Sequence, residues 1–298
     1  MKHIPPPTAT DVLNLRLLAR NTQLQSYPAL AGVLRDILRS YCAYRSARGN
    51  PKAPAVSVAL NLPAALKPLL RNHYTSPPDS IEPFLINLRK RTSPDVCSMC
   101  GSPKSGSLDH VFPKDDFPEY SLFSQNLVPA CDCNIKRSTD FVGAGANERV
   151  LHPYFDNLLT NRVVRALIAP SHVYGYERPI ISLQITLQPG TATYETVNFH
   201  VTNVLKRTDV LYHFDATWPK LWNRPEDYFG NPVDIAAFQQ AVGEALAKQD
   251  RHFGTPNNWD SMLFAGIVAD PGALAALWQR ATDIRNQVAA PQTNQVLN

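Results

Sequence analysis

Four of the five cysteines fall as Cys97-x2-Cys100 and Cys131-x-Cys133, with 30 residues between the two pairs. Two close pairs on two turns are the usual supply of four thiolates to one tetrahedral zinc ion. The opening residues, MKHIPPPTATDV, contain no apolar h-region, and no window approaches the roughly 18 consecutive apolar residues of a membrane helix. The expectation is therefore a cytoplasmic protein with no membrane partner. In that compartment thiols stay reduced, and clustered cysteines point to metal rather than disulfides. A zinc ion held by four thiolates has no open position for water, so it is expected to be structural and to pin two loops together. The segment between the pairs reads as too polar to hold itself by core burial. The second pair has only Asp132 between its cysteines, where two residues are usual, which tightens the chelate ring. Four reduced, buried cysteines without metal are the competing reading. Cys42 sits near an apolar helical stripe and is expected in the core.

With 298 residues, 44% hydrophobic and 18% charged, the chain can bury a sizeable core, which excludes global disorder. Its net charge of +4 is unevenly spread. Residues 1–92 hold 13 Lys/Arg against four Asp/Glu, residues 93–150 five against eight, and residues 151–298 eleven against 13. A basic first third is compatible with a polyanion such as nucleic acid, and equally with a solvated helix surface that happens to use arginine.

Hydrophobic spacing divides the chain into three regions: 1–92, 93–156 and 157–298. In the first, Leu30, Val33, Leu34, Ile37, Leu38 and Tyr41 mark one helix face. Weaker patterns predict helices over about 10–25, around 64–70, and over 81–88 with Asp79 or Ser80 as cap. The middle region loses periodicity and is rich in Cys, Asp, Pro, Ser and Asn. In the third, Ile181, Leu183, Ile185 and Leu187 alternate with polar residues, and Pro189-Gly190 signals a turn. Val197, Phe199 and Val201 then read as the return strand of a β-hairpin. Residues 232–249 and 272–288 read as helices, and the end from Pro291 as a frayed polar tail. Trp218, Trp222 and Tyr228 are compatible with an aromatic patch, but core packing is the simpler reading. His3, His73, His172, His200, His213 and His252 show no ligand spacing.

The chemistry-bearing residues cluster between and after the cysteine pairs. Hydrolysis of a phosphodiester needs an activated water, a Lewis acid on the phosphate and relief of charge on the leaving oxygen. His110 can take a proton near neutral pH and is the candidate general base. Its neighbour Asp109 and the amide oxygen of Asn134 form a hard-oxygen donor set that suits Mg²⁺ or Mn²⁺. Lys114, Lys136 and Arg137 are candidate phosphate contacts.

The stretch CSMCGSPKSGSLDHVFPKDDFPEYSLFSQNLVPACDCNIKRS, continued by RVLHPYFD at 149–156, resembles the zinc-containing domain of the HNH endonucleases, the ββα-metal nuclease fold. The resemblance covers about 60 residues and rests on CxxC, Asp-His-x-x-Pro-Lys, Asn-Leu-Val-Pro and a second cysteine pair leading into Asn and a basic helix. It implies that Cys97, Cys100, Cys131 and Cys133 hold zinc, that Asp109 and Asn134 hold the catalytic Mg²⁺ or Mn²⁺, and that His110 activates water. It also implies that Asn126 braces the loop carrying His110. The family's helix lysine has two counterparts here: Lys136 matches the residue type and Arg137 the position. The shortened second pair leaves Asp132 as an acidic substitute if the helix starts in a shifted register. His152 and Asp156 either line the site or serve the interior; a buried structural histidine is the simpler assignment.

The expected fold is α+β: a basic helical region, a zinc-stapled ββα core, and a C-terminal region with a hairpin and helices. The implied activity is metal-dependent hydrolysis of DNA, with specificity supplied by the flanking regions, an oligomer or a partner protein. By the same resemblance, restriction or anti-phage defence is the implied setting. A non-catalytic zinc knuckle that binds nucleic acid or protein is the alternative, and RNA is a further substrate the motif permits.

Overall fold

The computed structural model describes residues 1–8, 10–91 and 96–289. The boundary drawn at 92/93 and the polar tail from Pro291 lie outside the described residues. The architecture is mixed: helices α1 (Asp11–Arg20), α2 (Ala29–Ser46), α3 (Leu66–Thr75) and α4 (Glu82–Arg89) precede a small β1 (Ser107–His110), β2 (Leu127–Ala130), α5 (Cys133–Arg137) unit. Strands β3 (Val164–Ser171) and β4 (Gly175–Ile185) follow. The rest is helical: α6 (Ala192–Asn203), α7 (Val210–Asn223), α8 (Pro225–Phe229), α9 (Ile235–Phe253), α10 (Trp259–Ala269) and α11 (Pro271–Ala289). The chain forms two compact units that do not follow the three sequence segments. The first comprises residues 1–163, 185–208 and 253–258; the second comprises 164–184, 209–252 and 259–298.

In the first unit α2 buries Leu30, Ile37, Tyr41 and Tyr44, which share one helix face. Cys42 lies about 100° around the helix from Tyr41 and is exposed, contrary to its expected core position. Tyr41 stacks on Phe123 at 4.2 Å, and Tyr44 lies 4.8 Å from Phe112, 5.0 Å from Tyr120 and 5.1 Å from Phe123. The segment between the cysteine pairs is thus not too polar to hold itself. Val111, Phe112, Phe117, Tyr120, Phe123, Leu127 and Val128 are all buried. Their sites are turns and short strands, so no helical or strand period announces them.

The start of α4 also differs from expectation: Ile81 occupies the cap position and no side chain caps the helix. Helix α1 contributes a buried Asp11, which accepts hydrogen bonds from Ser124 N at 2.8 Å and Ser124 Oγ at 2.9 Å and pairs with Arg45 at 2.8 Å. That contact ties α1 and α2 to the turn before β2.

The expected return strand at 197–201 is a helix, and the partner of β4 is the preceding β3. Thr191 caps α6 by accepting from Tyr194 N, and Thr196, Val197, His200 and Val201 are buried on one side. Spacings of three and four place these residues on a helix face as well as on alternating strand positions.

In the second unit, α10 packs along β3. Its residues from Met262 to Ile267 are buried on every side. Gly266 permits the approach, since a Cβ there would lie 2.6 Å from Ala166 O. Trp218 is buried, whereas Trp222 is half-buried and Tyr228 is exposed, so the three aromatics share no single role. No single helix among the described residues is long and apolar enough to cross a membrane. The pair α10 and α11 reaches that length only across a 93° bend.

Candidate metal centre and adjoining pocket

The four cysteines converge. Cys97 and Cys100 come from the turn before β1, Cys131 follows β2, and Cys133 opens α5. All four are buried, and their sulfurs lie within 4.8 Å of one another. Cys97 Sγ and Cys133 Sγ are 3.5 Å apart, as are Cys100 Sγ and Cys131 Sγ. Four sulfurs about 2.3 Å from a zinc ion would stand roughly 3.8 Å apart, so the group is of a size to hold such an ion. The shortened second pair does not prevent convergence, because its second cysteine is already the first residue of α5.

Backbone N–H groups point at the sulfurs. Cys100 N and Cys131 N each donate to Cys97 Sγ at 3.4 Å, and Cys133 N donates to Cys131 Sγ at 3.3 Å. Hydrogen bonds from the Cys100 and Cys133 thiols hold Cys131 down to about 6, toward the thiolate a metal requires. Gly101 closes the first turn at φ +81°, where a Cβ would meet Asn257 O and Met1 N, each at 2.2 Å. Lys2 N donates to Ser98 O at 3.0 Å, so the first residues of the chain run along the knuckle. His200 supports it from α6. Leu151 N donates to its Nδ1 at 3.0 Å, and its Nε2 donates to Met99 O at 2.8 Å. Burial holds this ring neutral, at about 4. His200 is thus a structural element of the knuckle, not the background its sequence context suggests.

Next to the knuckle lies a pocket of about 220 Å³ lined by Asp109, His110, Lys114, Asp115, Asn134 and Arg137, among others. Strands β1 and β2 pair antiparallel with Asp109 opposite Val128 and His110 opposite Leu127. Helix α5 starts at Cys133 and so presents Asn134 and Arg137 to the same space. One helix therefore serves both the cysteine group and the pocket. Arg207 clamps its end, donating to Arg137 O at 3.2 Å while pairing with Asp140 at 2.7 Å.

The ring of His110 is buried. Its Nε2 lies 3.0 Å from Ser121 O; a carbonyl only accepts, so Nε2 carries the proton and Nδ1 keeps a free lone pair. Burial holds the ring down to about 4, neutral at physiological pH. Tyr74 of α3 packs edge-on against it at 4.3 Å and donates to Leu108 O at 3.1 Å. Asn126 is fully buried and bonded to the backbone of the loop that follows β1. Its Oδ1 accepts from Phe112 N at 2.8 Å, and its Nδ2 donates to Phe112 O at 3.0 Å and Tyr120 O at 3.2 Å.

Asn126 is held in turn by a relay that crosses the unit. Tyr154 N donates to His152 Nδ1 at 3.2 Å, which leaves the proton on Nε2. His152 Nε2 faces Tyr44 Oη at 3.0 Å, and Tyr44 O–H donates to Asn126 Oδ1 at 3.1 Å. Burial keeps His152 neutral, at about 3. Asp156 accepts from His152 N at 2.6 Å and from Arg149 in a two-pronged pair at 2.7 Å. His152 and Asp156 are interior supports rather than pocket lining. Tyr44 and Tyr74 carry no sequence signal of this role, because helix aromatics most often mean ordinary core.

Asp109 and Arg137 form a buried ion pair at 2.8 Å, and Arg137 also donates to His110 O at 2.9 Å. Arg137 is 1% exposed, so it is no surface phosphate contact as the sequence suggested. Asp109 Oδ2 is buried and has no hydrogen-bond partner among the described residues. Asn134 is half-buried, with its Oδ1 accepting from Ile135 N at 2.9 Å. Asp132 is exposed and pairs with Lys104 at 3.2 Å, away from a substitute role in the pocket. Lys114 is partly exposed at the pocket and lies 3.8 Å from Asp115. Lys136 is half-buried on α5 but does not line the pocket.

No protein-family profile matches the chain, and no solved structure matches it. A protein of Escherichia phage lambda, described as Protein ea31, is 25% identical to it over 170 residues, which take in 52% of this chain and 57% of that protein. The chain thus matches that relative over little more than half its length.

Proposed function

We propose that the chain is a metal-dependent endonuclease of the HNH type, with zinc in the four-cysteine group and Mg²⁺ or Mn²⁺ held by Asp109 and Asn134. The observation that carries this reading is the convergence of Asp109, His110 and Asn134 on one pocket beside the buried cysteines. The donor set fits a hard divalent ion. Asp109 Oδ2 is a buried carboxylate oxygen without a partner, and the Asn134 amide adds a second oxygen. Such an ion, when bound, supplies Lewis-acid polarisation of a phosphate and stabilises the leaving oxygen.

The protein's own residues do the rest. Ser121 O fixes the His110 tautomer, so that Nδ1 is the atom that accepts a proton from the attacking water. Asn126, held by Tyr44 and His152, keeps the backbone at Phe112 in place and with it the direction of the imidazole. Lys114 stands at the pocket as a cation for the phosphate backbone. The second reading is a non-catalytic zinc knuckle that binds nucleic acid or protein. It is favoured by one observation, the Asp109–Arg137 pair, which already satisfies half of the carboxylate.

Plasmid cleavage by the purified protein with Mg²⁺ or Mn²⁺, compared with chelator and with His110→Ala, separates the two. Metal-dependent nicking that is lost in His110→Ala supports the nuclease. No cleavage by folded, zinc-loaded protein, with DNA binding retained, supports the binding module.

A further inference from the structure

Arg137 occupies the carboxylate that the proposed reaction needs. A guanidinium carries five N–H donors. Nη2 makes both observed bonds, to Asp109 Oδ1 and His110 O, while Nε and Nη1 are buried without a partner among the described residues. The pocket's charged lining consists of Asp109 and Asp115 against Lys114 and Arg137. Asp115 is already committed, to Arg71 at 2.7 Å and Lys114 at 3.8 Å. The protein alone therefore offers a divalent ion one carboxylate that a buried cation has already neutralised.

Placing two positive charges there without an anion leaves an uncompensated excess in a poorly solvated site, where like charges repel strongly. A phosphodiester group removes that excess. Its oxygens satisfy the ion, and its negative charge balances the buried guanidinium at Asp109.

We propose that Arg137 is a resident counter-cation, which makes divalent-ion binding at Asp109 conditional on a phosphate ligand in the same pocket. This rests on the reading of Asp109 as a ligand of the catalytic metal. The consequence is regulatory: the site loads metal and nucleic acid together, and stays unloaded when either is alone. The coupling is reciprocal, because a phosphate ligand that tightens the ion must itself be tightened by the ion to the same degree.

The test uses the full zinc-loaded chain in a His110→Ala background, so that DNA is not cut. Mn²⁺ is titrated by calorimetry and by the electron paramagnetic resonance signal of the free ion, alone and with a short DNA duplex. Mn²⁺ does not compete for a thiolate group that prefers zinc. The expected result is Mn²⁺ binding tightened at least about tenfold by the duplex, with the duplex tightened equally by Mn²⁺. Arg137→Met is expected to bind Mn²⁺ more tightly without DNA and to lose most of the coupling. Arg137→Lys, which keeps the charge, is expected to retain it.

Equal affinities with and without the duplex in the parent overturn the proposal, and this holds even if Arg137→Met fails to fold, as zinc content and melting would reveal. A folded Arg137→Met with unchanged coupling also overturns it. Asp109→Asn separates the proposal from the reading beneath it. If Asp109→Asn abolishes Mn²⁺ binding while coupling is absent in the parent, the metal site stands and Arg137 is merely structural. If Mn²⁺ binding survives Asp109→Asn, or is absent even with DNA, the metal site itself is wrong and the proposal falls with it.

Discussion

Acid should unfold the first unit well before its carboxylates are protonated, because His110, His152 and His200 are buried there as neutral rings and burial lowers His73 in the same direction. His110 is held to about 4, His152 to about 3 and His200 to about 4, in each case chiefly by loss of hydration. In the unfolded chain each returns to about 6.5. Between those limits the unfolded state binds three more protons at these rings than the folded one, and His73 adds to the difference, so stability rises with pH across the window. It is fully present above about pH 6.5 and declines as the pH falls toward the folded values. From about pH 7.5 to about pH 5 each ring withdraws roughly 2 kcal/mol and the three together about 6 kcal/mol, as much as the whole stability of many domains. Asp11 and Glu119 are both raised, chiefly by burial, and act in the opposite sense from the unfolded carboxyl range of about 4 upward. Urea unfolding followed by circular dichroism at a series of pH values gives the slope directly. Thiol protonation and metal release add acid lability of their own, so the decisive quantity is a difference between two zinc-loaded proteins. In His200→Gln the slope should fall by about one proton. An unchanged slope, or stability that is flat between about pH 5 and 6.5, refutes the assignment of these rings as neutral and buried.

Replacing Cys131 by serine should remove stoichiometric zinc and lower the melting temperature, whereas Cys42→Ser, at an exposed site, should do neither; metal analysis and calorimetry decide. Gly101→Ala should cost well over the roughly 1–2 kcal/mol of a left-handed backbone alone, because its Cβ would also strike Asn257 O and Met1 N. Gly190→Ala has the same φ of +81° with nothing within 4 Å, so it should cost only the backbone part in the same denaturation assay. Asn126→Ala should destabilise by about 3 kcal/mol or more, since it orphans Phe112 N, Phe112 O and Tyr120 O in the interior. Tyr44→Phe should cost about 1 kcal/mol by removing the hydroxyl that links His152 Nε2 to Asn126 Oδ1, and should lower cleavage without releasing zinc.

The parts of the site legible in sequence are those whose chemistry fixes local spacing. Chelation forces cysteines into close pairs, and the Asp-His and Cys-Asn juxtapositions are single-step features of the chain. The helix faces of α2, α9 and α11 were legible for a similar reason, because each has one apolar side and one wet side. Helix α10 was not, because it is buried all round and carries no amphipathic period. Helix α6 has the look of a strand because Val197 and Val201 satisfy two periods at once, and only the Thr191 cap and the burial of His200 separate them.

What stayed hidden has one physical cause: the partners that decide a polar residue's role lie far away along the chain. An arginine after a cysteine pair looks the same whether it faces a phosphate or a carboxylate. Arg137 became a buried brace only because β1 brings Asp109, 28 residues earlier, to within 2.8 Å. The first-region helices supply Tyr44 to Asn126, Arg71 to Asp115 and Tyr74 to His110, across 82, 44 and 36 positions. Its surplus of positive charge is therefore not all available to a polyanion. Arg45 is spent on Asp11, Arg39 on Asp36 and Arg71 on Asp115. Three of the nine arginines in this segment are paired in this way, and Arg45 and Arg71 work as scaffold. Any nucleic-acid affinity it adds must come from the cations those pairs leave over.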